Sequence, residues 1–97
     1  MTRTELALLS QAHAVALTAM VAPETRAVLM AAAYALRDAT VAEFPDFRVV
    51  CAAFCEALRH SHGRLGEVAI AGRALRDAVA RFMVFVPVDA SRVDIHG

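Results

Sequence analysis

Pro23, Pro45 and the pair Gly63/Gly66 interrupt a helix-forming chain at nearly even intervals, and no other feature constrains its fold as much. Proline removes a backbone donor and clashes with the preceding turn, while glycine costs about 1 kcal/mol relative to alanine inside a helix. Between these breakers run alanine- and leucine-rich segments whose apolar residues recur at three and four, the helical period. The pattern predicts an all-α protein: a compact bundle of about four helices, built as two helical hairpins over residues 1–86, with a short extended polar tail over 87–97.

Local signals place the helices. "TRTE" opens the first as a capping box, with Thr2 accepting from the Glu5 amide and the Glu5 carboxylate reaching back. Leu6, Leu9, Ala12, Ala16 and Met20 then mark one face. Pro23 suits the first turn of the second helix, with Glu24 beside it complementing the helix dipole. That helix presents Val28, Leu29, Ala32, Leu36 and Ala39 on one side and Met30, Tyr34 and Val41 on another. A helix that is apolar on two sides is either central or meets a partner. "FPDF" ends it, because a residue before proline leaves the helical region.

The third helix is expected from about Asp46 to His62, with Gly63 as its C-terminal residue and Gly66 as a second breaker. A continuous helix through both glycines is the alternative. The fourth, from about Leu65 to Val84, carries Leu65, Val68, Gly72, Leu75, Val79 and Phe82 inward and Arg73, Arg76, Asp77 and Arg81 outward. "VFVPVDASRVDIHG" loses the helical period, and its Val84, Val86 and Val88 alternate as in a strand docked along a neighbour. "ALRDATVAEF" at 35–44 and "ALRDAVARF" at 74–82 echo each other, one residue being skipped. A duplicated hairpin would give the bundle a pseudo-twofold axis.

Composition narrows the function classes. The chain has 97 residues, enough for one domain with a small core. Its apolar share is 59%, against roughly 45–50% in ordinary domains, so more apolar surface exists than one small globule hides. Formal net charge is zero, which argues against a broad electrostatic footprint for nucleic acid or anionic membrane. The apolar start "MTRTELALLSQAHAVALTAM" is interrupted by Glu5, Ser10, Gln11 and His13 and offers no clean cleavage site, so it is not read as a signal peptide. No run reaches the roughly eighteen uninterrupted apolar residues of a transmembrane span. The expected setting is the cytoplasm. The chain has the length and hairpin look of small secreted proteins with a Trp-x-Gly turn, but it lacks Trp and its turn reads "EFPDF", so it is not assigned to them.

"CAAFCEALRHSHGR" at 51–64 is the one stretch rich in chemistry. On a helix, Cys51 and Cys55 lie about 40° apart, and Phe47, Phe54 and Leu58 share their stripe. Free cysteine behaves there as a small buried hydrophobe. The alternative is a thiol- or metal-responsive sensor, since a thiolate pair suits Zn²⁺ or Cu(I). His62 lies on the same side about 10.5 Å further along the axis, a strained reach, and His60 points away. Arg59, His60, His62 and Arg64 form a small basic turn that could hold an anion, though its charges also suit the end of a helix.

No phosphate loop, nucleophile elbow or helical zinc-protease motif occurs. The expectation is therefore a non-enzymatic interaction or assembly module without a cofactor, neither membrane- nor nucleic-acid-directed. It would form a homodimer or dock another protein through Met30, Tyr34, Val41, Phe85 and Val86.

Overall fold

The computed structural model describes residues 1–83, which form four helices and no strand among them: α1 (Arg3–Val21), α2 (Arg26–Glu43), α3 (Pro45–Ser61) and α4 (Leu65–Met83). The all-α bundle expected from the punctuation is the observed architecture. The expected tail and the contact residues Phe85 and Val86 lie outside the described residues.

Each boundary has a local cause. At α1 the capping box forms: the Thr2 amide donates to Glu5 Oε1 at 2.7 Å and the Glu5 amide to Thr2 Oγ1 at 3.0 Å. Pro23 and Glu24 stand in the turn before α2, not in its first helical turn. The Thr25 amide donates to the Ala22 carbonyl, closing a turn with Pro23 at its second position, where its fixed φ is pre-set. Pro45 instead opens α3, the position where a missing amide is harmless. Phe44 alone joins α2 to α3.

The α3–α4 break is real, so no continuous helix runs through the glycines. His62 adopts a left-handed conformation with φ 50° and Gly63 follows at φ 80°. Gly66 does not break anything; it lies inside the first turn of α4.

Contacts at the two ends set the topology. Arg26 at the start of α2 reaches the Leu58 carbonyl at the end of α3, so these helices run antiparallel. Phe44 and Phe47 meet Phe82 near the end of α4, at centroid distances of 5.6 and 4.9 Å. Leu6 and Leu9 of α1 share a groove with Val79 and Met83 of α4. The result is an up-down-up-down square, each helix flanked by two others, with the most extensive packing between α1 and α4 and between α2 and α3.

The sequence echo is the visible part of a larger correspondence. A shift of 39 positions carries Leu36 onto Leu75, and with it the buried Leu8, Ala12, Ala16 and Ala19 onto the buried Phe47, Cys51, Cys55 and Leu58. It also carries Leu29, Ala33 and Thr40 onto Val68, Gly72 and Val79, all buried. The same shift maps the turn bond from the Thr25 amide to the Ala22 carbonyl, 3.1 Å, onto that from the Arg64 amide to the Ser61 carbonyl, 2.9 Å. Leu9 against Arg48 is an exception, buried in one hairpin and exposed in the other. The two hairpins are thus pseudo-equivalent, and each buries its stripes mainly against the other.

Helix faces are rotated slightly from the periodic reading. In α1 the buried set is Leu8, Leu9, Ala12, Ala16 and Ala19, while Leu6 and Met20 lie at its edges. In α2 Leu29, Ala33, Leu36 and Thr40 are buried and Val28 is 68% exposed. Leu65 is likewise 53% exposed. By length and a mean hydropathy of 1.2, α1 reaches the range of a membrane-spanning helix; in the bundle it contributes five buried residues to the core.

Candidate functional site

The residues singled out by the sequence fall into three places rather than one. Cys51 and Cys55 lie in the α2–α3 seam, 2% and 3% exposed, with Phe47, Phe54 and Leu58 buried along the same stripe. Their pseudo-equivalents in α1 are Ala12 and Ala16, so the seam takes a small apolar side chain at these positions in both hairpins. Burial pushes the Cys51 thiol from 9.0 up to about 11, the neighbouring Thr40 hydroxyl working against the shift and Cys55 adding to it. Cys55 is raised too, again by burial first, with the Arg37 guanidinium opposing and the Asp38 carboxylate assisting. A nucleophilic thiol needs the opposite shift. Among the described residues no group of three or more His, Cys, Asp or Glu side chains is placed to hold a metal ion.

The 59–64 turn stands at the end of α3, away from the thiols along the chain. Arg59 pairs with Glu56 at 3.1 Å, and Arg64 pairs with Glu67 while donating to the His60 carbonyl at 3.2 Å. His60 and His62 are exposed, and His62 is the left-handed C-cap rather than a helical residue on the cysteine side. Each arginine is therefore matched by an acid one turn away, which leaves little net charge for an anion.

The α2 stripe is only partly open. Met30 and Tyr34 are half-buried and pack against the core, and the Arg37 guanidinium lies over the Tyr34 ring, 4.8 Å from its centroid. Val41 alone of this set is well exposed, at 56%.

Sequence reasoning passed over two features. Arg26 donates from Nε to the Leu58 carbonyl at 3.1 Å and to Ser61 Oγ at 3.3 Å, and from its terminal nitrogen to the Arg59 carbonyl. It thereby satisfies the open carbonyls at the end of α3, a capping contact from another helix that no local pattern reveals. The second feature is a shallow apolar trough along α3 and α4. One part, about 280 Å³, is lined by Val49, Ala53, Ala57, Ala74 and Arg81 among others; an adjoining part, about 310 Å³, shares Ala57 and Ala74 and reaches His60, Glu67 and Ile70. A signal for it was present: Val49, Ala53 and Ala57 make a second apolar stripe on α3, beside the one that carries the cysteines.

A larger groove of about 450 Å³ runs between α1 and α4, where Leu6, Leu9, Val79 and Met83 are joined by Ser10, His13 and Arg76. Comparison with protein-family models, with curated proteins and with solved structures found no match to this chain.

Proposed function

We propose that this chain is a small assembly module that self-associates or docks a protein partner through apolar helix faces, and that it performs no catalysis. The observation that carries this reading is the set of large apolar side chains left outside a complete core: Val21 is 80% exposed, Val28 and Ile70 68%, Val49 67% and Val41 56%. Scattered apolar residues are ordinary on a surface, but Val49 and Ile70 border adjoining grooves that share Ala57, Ala71 and Ala74. Burying a few hundred Å² there, at about 25 cal/mol per Å², offsets several kcal/mol of association cost.

The thiol reading is the weaker one, because both sulfurs are buried and held in their protonated form. Anion binding at the 59–64 turn is weakened by the acids beside Arg59 and Arg64. Free thiols suit a reducing, cytoplasmic setting, which belongs to the same proposal.

Native mass spectrometry of protein purified without chelator tests it. A dimer or higher mass with no metal increment supports the reading. A stoichiometric zinc or copper increment overturns it in favour of Cys51 and Cys55. A bare monomer at every concentration removes the self-associating form.

A further inference from the structure

We infer that the α3–α4 face closes on a second copy of this chain to form a twofold dimer. The inference rests on the assembly reading above and deepens it by naming the face and its occupant.

The pseudo-twofold supplies an internal control. The shift of 39 positions places Ser10, Ala14 and Thr18 of α1 where α3 has Val49, Ala53 and Ala57. On the other wall it places Ala31 and Ala35 of α2 where α4 has Ile70 and Ala74. Both faces belong to the same architecture and cover equivalent core stripes, so folding alone demands no difference between them. Yet they differ in plan. The α1–α2 face has hydroxyls near its middle and its exposed valines, Val21 and Val28, together at one end. On the α3–α4 face Val49, Ala53, Ala57, Ile70 and Ala74 occupy the middle, and the equivalents of Val21 and Val28 are His60 and Glu67. An apolar centre inside a polar rim is the anatomy of a protein interface.

The rim identifies the occupant. At one end of the trough stand Asp46, one turn before Val49, and Arg81; at the other stand His60 and Glu67. Each end thus carries one acid and one base, with Glu67 also paired to Arg64 beside it. A twofold axis running across the helices sets Asp46 against the second copy's His60 and Arg81 against the second copy's Glu67. A twofold running along the helices sets Asp46 against Arg81 and His60 against Glu67. Either closure opposes acid to base among these four side chains, so they are complementary to the same four on a second copy, as an isologous dimer requires. An anionic lipid surface fits less well, because Asp46 and Glu67 flank the apolar centre. The alanine floor lets the second copy's Val49 and Ile70 approach small side chains rather than collide with large ones.

Sedimentation equilibrium of the full chain over a concentration series tests this. Ala53 and Ala74 are exposed, so Ala53→Arg and Ala74→Arg leave the isolated bundle room for the new side chain. Each is expected to weaken dimerisation at least about tenfold, with helical circular dichroism unchanged. Ala35→Arg on α2, the exposed pseudo-equivalent of Ala74, is expected to leave the dimer intact. Because Ala53 and Ala74 lie on different helices, misfolding of one variant still leaves the other to report. A wild-type chain that stays monomeric overturns the inference together with the self-associating reading. A dimer that survives Ala53→Arg and Ala74→Arg, or that only Ala35→Arg disrupts, overturns this face and leaves assembly standing.

Discussion

Cys51 is held among Phe47, Phe54, Cys55 and the Thr40 hydroxyl, and its raised thiol makes stability depend on alkaline pH. Below pH 9.0 the thiol is protonated in folded and unfolded chains alike. Above it the unfolded chain releases a proton that the folded chain retains up to about 11, so stability falls as pH rises through that window. The loss is on the order of 3 kcal/mol at most, from about 1.4 kcal/mol per pH unit. Thermal melts across this range should fall more steeply for wild type than for Cys51→Ala. Equal slopes would mean that the thiol is not desolvated. Arg26 makes a second residue-scale prediction. Arg26→Met keeps much of the apolar stem but removes the donors to α3, and should cost about 1–2 kcal/mol in denaturant unfolding. An unchanged midpoint would show that water replaces the contact without penalty.

Among the helices, the α1–α4 pair shows how small residues set distance. A Cβ on Gly72 would come within 2.7 Å of Ala19 Cβ and 2.8 Å of the Ala16 carbonyl oxygen. One obstacle is backbone, which does not rotate away, so Gly72→Ala should destabilise by about 1–3 kcal/mol despite its better helix propensity. Gly66→Ala provides the contrast: it lies in α4 with nothing within 4 Å of a new Cβ, so propensity alone acts and should stabilise by up to about 1 kcal/mol. Melting the two variants side by side checks both signs. The turn between α3 and α4 depends instead on conformation. His62 and Gly63 both have positive φ, and β-branched replacements at either would strain the reversal.

For the whole molecule, the organising fact is that each hairpin packs more extensively on the other than within itself. A hairpin in isolation would expose its main apolar stripes, and most helical stability in proteins comes from tertiary packing of such a face. Residues 1–44 and 45–97 made separately should therefore show little helical circular dichroism, and mixing them should restore it. Helicity in either piece alone would mean that intra-hairpin contacts suffice. At one end Phe44, Phe47 and Phe82 tie the single-residue α2–α3 link to the last turn of α4. Phe82→Ala should loosen that end and cost about 3 kcal/mol in the same unfolding assay, near the low end for an aromatic because Phe82 is only half-buried.

What the sequence by itself determined is largely local. Capping at Thr2, the stop before Pro45 and the reversal at Gly63 are decided by backbone conformation and nearby hydrogen bonds, so they are legible from a few adjacent residues. The burial of Cys51 and Cys55 followed from the same periodicity. Only tertiary packing decided which of the many alanines face inward, because alanine differs little in apolar payload between core and surface. That choice moved the buried edge of α1 from Leu6 and Met20 to Leu8 and Ala19, and left Val28 outside. It also settled that Arg26 caps a helix 32 positions along the chain, and that two stripes on α3 and α4 meet as one trough. Such features arise between helices, where position depends on how the whole bundle closes rather than on the residues that flank each site.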